Sequence, residues 1–155
     1  MNTRFTPTLA ALCMASAASA QTASAAKLPP FLTDAKLSAT IEANHTGTMT
    51  LTLTPLKGYH LYAPNPGDKF LTPTTIKLPL VRGLKFGAPT WPASKKLGKA
   101  NVYDGPVTVV WKLAAGEMLA KNAPLTLTIK AQGCNENDCF PPATFTLTAK
   151  LPPAK

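Results

Sequence analysis

Thr48-Met49-Thr50-Leu51-Thr52-Leu53-Thr54 alternates a polar with an apolar side chain at every step. Side chains of an extended strand point by turns to opposite faces, so this segment presents threonines to water and Met/Leu to a core; a helix would scatter the same residues around its girth. The period of two recurs in Lys36–Ile41, Val107–Trp111, Leu125–Ile129 and Thr144–Ala149. Shorter candidates lie at Tyr59–Tyr62 and Thr75–Leu80. Sixteen prolines and nine glycines punctuate these runs. A proline inside a helix costs about 3 kcal/mol, so helix is expected as at most one short turn at Ala114–Lys121. The pattern predicts an all-β chain, an immunoglobulin-like antiparallel β-sandwich carrying a cysteine hairpin.

Residues 1–20 have the build of a secretory signal: Arg4 in a short basic start, an apolar stretch from Leu9 to Ala18, and small residues Ala18-Ser19-Ala20 at the cleavage position. Cys13 lies inside the apolar stretch and is expected to leave with it. Residues 21–30 read as a flexible leader, small, polar and ending in proline. Residues 31–155 read as one sandwich domain. No later segment approaches the roughly 18 apolar residues of a membrane span, so no membrane insertion is expected. An exported chain with two cysteines left points to an oxidising compartment, and the short alanine-rich signal to the bacterial periplasm.

Cys134 and Cys139 are that pair, separated by Asn135-Glu136-Asn137-Asp138. Fully extended, five residue steps would hold their Cα atoms roughly 16 Å apart, whereas a disulfide needs about 4.4–6.8 Å. The chain must therefore turn between them, and Asn and Asp supply turn chemistry, so a cysteine is expected on each arm of a tight hairpin. A loop this small gains only about 2 kcal/mol from cross-linking by chain entropy. Exchange instead requires an accessible sulfur and a loop that tolerates both redox states. Glu136 and Asp138 beside the pair, with no helix N-terminus, argue against a strongly activated thiolate. Spacing alone leaves an exchanging pair and an inert structural clasp equally open.

Other chemistries find less support. Past residue 20, fifteen basic side chains face seven acidic ones, but they are scattered lysines with a single arginine, Arg82, and no basic run interleaved with aromatics. That is a solvated positive surface rather than a nucleic-acid footprint, one able to steer acidic partners. His45 and His60 lie far in sequence from the cysteines and make no recognisable metal pattern, so neither metal nor cofactor is expected. No Gly-x-Ser-x-Gly elbow supports a hydrolase.

The segment Ala131-Gln132-Gly133-Cys134, four residues, then Cys139-Phe140-Pro141-Pro142 resembles the redox motif of the N-terminal domain of the thiol:disulfide interchange protein DsbD. So do Gly58-Tyr59-His60-Leu61-Tyr62-Ala63-Pro64-Asn65 with Pro66-Gly67-Asp68 and Pro73-Thr74, and Val102-Tyr103-Asp104-Gly105-Pro106-Val107. The similarity runs from Leu28 to Leu151. It implies a periplasmic immunoglobulin-like domain whose Cys134/Cys139 pair relays electrons, with His60, Tyr62, Leu97 and Phe140 lining the site. It also implies thioredoxin-fold partners, or the thioredoxin-like domain of a membrane electron transporter. The chain carries neither membrane spans nor a thioredoxin domain, so donor and acceptor are expected to be separate proteins. Two departures stand out: one residue fewer between the cysteines than in the family's best-known member, and Lys95-Lys96-Leu97-Gly98 where that member has an aromatic capping loop. The competing reading is a non-catalytic protein-binding sandwich with a fixed disulfide.

Overall fold

The computed structural model describes residues 24–25 and 27–152; the signal-like segment 1–20 lies outside the described residues. The described chain forms strands β1 (Ser24–Ala25), β2 (Leu32–Ile41), β3 (Thr46–Pro55), β4 (His60–Tyr62), β5 (Thr75–Lys77), β6 (Leu84–Phe86), β7 (Lys95–Leu97), β8 (Ala100–Tyr103), β9 (Val107–Ala115), β10 (Pro124–Ala131), β11 (Gly133–Cys134) and β12 (Ala143–Lys150). Every pairing is antiparallel, and no helix occurs among the described residues. This is the expected all-β, immunoglobulin-like sandwich.

Two sheets, ordered β1-β12-β10-β5 and β2-β3-β9-β6, form its layers. The alternation that marked the strands also fills the space between them. Leu37, Met49, Leu51, Leu53, Val109 and Trp111 from one sheet and Leu125, Leu127, Ile129 and Leu147 from the other are at most 2% exposed and share one core. Their polar neighbours face water, where Thr52 bonds Thr108 and Thr126 bonds Thr148 across strands, Oγ1 to Oγ1 at 3.1 and 2.9 Å.

A third sheet, ordered β11-β4-β8-β7, joins the same core through one of its faces. Its strands are short, but the same alternation divides its faces. Leu61 and Tyr103, paired across β4 and β8, join the main core, whereas Tyr62, Val102 and Cys134 form a separate small cluster on the opposite face with Leu71 and Ala100. Two glycines fix the setting of this sheet. A Cβ on Gly133 would lie 2.3 Å from the Cβ of Phe31, so only glycine lets β11 press this closely on the core. Gly67 holds φ at +87°, and a Cβ there would meet the Lys99 carbonyl at 2.4 Å.

Three expectations are corrected. The 21–30 leader is not wholly unpacked: Ser24–Ala25 pairs with Thr148 and Leu147, satisfying part of the free edge of β12, while Pro29 is buried and Leu28 packs on the core. Ala114–Lys121 has no helical turn. The pairing of Leu84–Phe86 draws β9 on to Ala115, and Gly116 then donates its N–H to the Gly83 carbonyl at 2.7 Å. The strand expected at Thr75–Leu80 ends at Lys77; Pro79 has no N–H to continue a ladder, and Leu80 is fully exposed.

Candidate functional site: a disulfide hairpin on the small sheet

Cys134 and Cys139 are disulfide-bonded, with Cα atoms 4.1 Å apart, and face each other as an antiparallel bridge. The expected hairpin is present, and its turn is built by Asn135. The Asn135 side-chain oxygen accepts the N–H of Asn137 at 2.8 Å and of Asp138 at 2.6 Å, while its own N–H donates to the Asp138 carbonyl at 2.8 Å. Below the cysteines the Phe140 N–H donates to the Gly133 carbonyl at 2.9 Å, and the Gln132 amide donates to the Phe140 carbonyl at 3.0 Å. Backbone and side-chain hydrogen bonds thus hold the two arms together independently of the sulfur–sulfur bond.

The two cysteines are not equivalent. Cys134 is 1% exposed, sunk on β11 beneath Tyr62 and Val102; Cys139 stands exposed on the far side of the turn. The Tyr62 hydroxyl donates to the Cys134 sulfur at 3.4 Å, and burial pushes the Tyr62 phenol pKa up, keeping it in the protonated form that can donate. Tyr62 is itself anchored: its carbonyl accepts the hydroxyl of Thr74, 1% exposed, at 2.6 Å.

His60, Tyr62, Leu71, Leu97, Ala100, Asn135 and Glu136 line an open cleft of about 390 Å³ around both cysteines. The structure therefore brings together Cys134, Cys139, His60, Tyr62 and Leu97. His60 is paired across β4–β11 with Cys134, and its ring meets that of Tyr62 edge-on at 5.6 Å between centroids. Leu97, 52% exposed, stands at the cleft mouth where β7 turns into β8. Phe140 is not in the cleft, contrary to expectation. Side chains alternate along an extended arm, so with Cys139 turned outward Phe140 turns inward, packing on Tyr59 at 5.3 Å and Phe31 at 6.0 Å between centroids.

Three participants escaped sequence reasoning. Leu71 and Ala100 enter the cleft from segments too short or irregular to show periodicity. Asp104 carried a signal, since it falls within one of the quoted motifs, but its role depends on cross-strand register. Its carboxylate accepts the Lys95 ammonium at 2.8 Å, a contact that holds the Asp104 pKa below the usual carboxylate range. Burial lowers the His60 pKa, against a smaller upward pull from the Asp104 charge.

The family model for the N-terminal domain of the thiol:disulfide interchange protein DsbD matches residues 27–151. Among solved structures, the N-terminal periplasmic domain of ScsB from Proteus mirabilis superposes with a TM-score of 0.56 at 17% identity, over 88% of this chain and 55% of that one. This chain thus spans about half the length of that structure. The reduced N-terminal domain of DsbD from Neisseria meningitidis gives a TM-score of 0.41 at 19% identity, over 79% of this chain and 89% of that one. The GAE domain of GGA2p from Saccharomyces cerevisiae gives 0.45 at 13%, over 80% and 93%. No curated protein matches. With its sandwich, its hairpin disulfide and a family match over nearly all the described residues, the chain belongs to the family of the N-terminal domain of the thiol:disulfide interchange protein DsbD, and Cys134–Cys139 is its disulfide pair.

Proposed function

We propose that this domain carries two electrons at a time in the periplasm, exchanging its Cys134–Cys139 disulfide with the cysteine pairs of thioredoxin-fold partners and using no bound cofactor. The observation that carries this reading is the asymmetry of the pair: one sulfur reachable in an open cleft, the other buried and met by a hydroxyl donor. A partner thiolate attacks the Cys139 sulfur. The Cys134–Cys139 bond breaks, a Cys139–partner bond forms, and the electron pair leaves on Cys134, where the Tyr62 hydroxyl meets it. The partner's second thiolate then attacks its own sulfur in the mixed disulfide and releases Cys139. The partner ends oxidised and the domain reduced; the reverse sequence passes the electrons on. Exposure favours Cys139 over Cys134 as the sulfur that meets partners.

The hydrogen-bonded turn supports the same reading, because opening the sulfur–sulfur bond leaves its backbone ladder intact. The signal-like residues 1–20 support export. Titration against a glutathione or dithiothreitol redox buffer is the test. A reversible two-electron couple above about −300 mV is expected, whereas a bond that resists reduction below that value would make the pair a permanent clasp.

A further inference from the structure

Four side-chain positions fall in one row across the small sheet. The pairings Leu61↔Tyr103 and Tyr62↔Val102, extended one residue past the end of β8, place Asp104 opposite His60 on one flank of β4, where its charge acts on the imidazole; on the other flank His60 is paired with Cys134, and Cys134 with Cys139. Directly opposed side chains of an antiparallel sheet share a face, with Cβ atoms about 4.5–5.5 Å apart. The row therefore reads Asp104, His60, Cys134, Cys139, an acid beside an imidazole beside a thiol. It follows the order used wherever a base activates a sulfur and a carboxylate supports the base.

We propose that His60 is the proton acceptor for Cys134, taking the thiol proton as Cys134 closes back onto Cys139 and, in the reverse direction, passing to the Cys134 sulfur a proton it takes up from solvent; the inference rests on the exchange reading above. Closure starts from Cys139 joined to a partner sulfur. The Cys134 S–H bond breaks and its proton passes to the imidazole; the Cys134 sulfur bonds Cys139; the Cys139–partner bond breaks, and its electron pair leaves on the partner as a thiolate. The imidazolium then gives its proton to solvent or to that thiolate.

Cys134 needs such a group because it is 1% exposed, and burial disfavours a thiolate. The groups that face the row are Tyr62 on β4, Asp104 just past the end of β8, Lys95 on β7 and Glu136 on the turn. Tyr62 donates to the sulfur rather than accepting from it. Lys95 and Asp104 are joined to each other, and Glu136 is exposed to solvent. His60 alone is paired with Cys134 across the strands and is of a type that changes charge near neutrality. Its lowered pKa leaves it neutral and ready to accept at neutral pH, while the Asp104 charge favours the imidazolium it becomes.

The experiment follows closure of the Cys134–Cys139 disulfide in reduced protein mixed with oxidised glutathione, by acid quench and mass spectrometry, from about pH 5 to pH 9. It compares the natural chain with His60→Phe and His60→Gln, whose folding is checked by thermal melts; the glutamine variant decides if the phenylalanine one does not fold. The natural chain is expected to hold its rate down to the imidazole's range, below about pH 6.5. The variants are expected to close on the order of 10²-fold more slowly near neutrality and to catch up as hydroxide takes over the proton. A folded variant with the natural rate and pH profile overturns the role of His60 and leaves exchange standing. A natural chain that neither glutathione nor dithiothreitol can turn over overturns both.

Discussion

The Tyr62 hydroxyl lies 3.4 Å from the Cys134 sulfur and points its proton at it. A disulfide sulfur is a weak acceptor and a thiolate a strong one, so this contact strengthens as the bond opens and stabilises the leaving sulfur more than the resting disulfide. Tyr62→Phe keeps the ring packing with His60 and removes only the donor. Reductive opening by dithiothreitol is expected to slow by about tenfold, the equivalent of roughly 1.4 kcal/mol. If the contact persists in the reduced protein, the potential falls by about 30 mV. Unchanged rate and potential in the variant would reduce the hydroxyl to a packing element.

Burial decides which cysteine can be captured. Cys139 is exposed and Cys134 sealed, so Cys134→Ser is expected to accumulate a mixed disulfide through Cys139 with a thioredoxin-fold protein, and Cys139→Ser is expected to accumulate little. The check is non-reducing electrophoresis of either variant incubated with a thioredoxin that keeps only its attacking cysteine, activated as a mixed disulfide with thionitrobenzoate, so that the thionitrobenzoate leaves and no second thiol can resolve the complex. Preferential capture by Cys134 would require the cleft to open well beyond the arrangement described.

Much of this was legible in the sequence, for reasons particular residues make plain. The strand Thr46–Pro55 was readable because both of its faces are used, threonine to water and Met49, Leu51 and Leu53 to the core. The hairpin was readable because a disulfide at so short a spacing forces a turn. Strands β6 to β8 were not, since three or four residues such as Lys95–Leu97, all exposed, carry too little alternation to detect. The inequality of the cysteines was hidden for another reason. It arises from Gly133 pressing on Phe31 and from Tyr62 roofing Cys134, contacts between segments more than 70 residues apart in the second case. Phe140 was misplaced because a motif fixes which residue follows a cysteine but not which way it faces.

Gly133 is the residue through which the core sets the height of Cys134. Gly133→Ala would put a methyl group 2.3–2.9 Å from three Phe31 atoms, and neither β11, paired on β4, nor the buried ring can withdraw freely. A destabilisation of about 1–3 kcal/mol is expected from overpacking, measured by denaturant unfolding. Faster reaction of dithiothreitol with the disulfide should accompany it, as β11 is pushed toward the cleft. A variant as stable as the natural chain would mean that Phe31 repacks at no cost.

The lowered His60 pKa has a thermodynamic counterpart. Between the folded value and the unfolded one, near 6.5, the unfolded chain binds more protons, so stability rises with pH through that window and is level above it. Acidification from about pH 7 to pH 5 should therefore lower the melting temperature slightly, and His60→Gln should flatten this limb. The lowered pKa values of Asp34 and Asp104 act elsewhere, adding stability above about pH 3.9 that is lost as pH falls through their folded values. An undiminished loss between pH 7 and pH 5 in the glutamine variant would assign that limb to other groups.

If the bond is made to open, the fold must survive without it. Cross-linking so short a loop is worth only about 2 kcal/mol by chain entropy, and the arms are already tied by Asn135 to Asn137 and Asp138, by Phe140 to Gly133, and by Gln132 to Phe140. Cys134→Ser with Cys139→Ser should therefore unfold cooperatively in denaturant, about 2 kcal/mol less stable than the oxidised chain, with an unchanged slope because the same surface is exposed on unfolding. Dithiothreitol-treated natural protein should behave alike. Loss of cooperative unfolding in both would show that the sandwich leans on the sulfur–sulfur bond for its integrity, a dependence that repeated opening and closing could not tolerate.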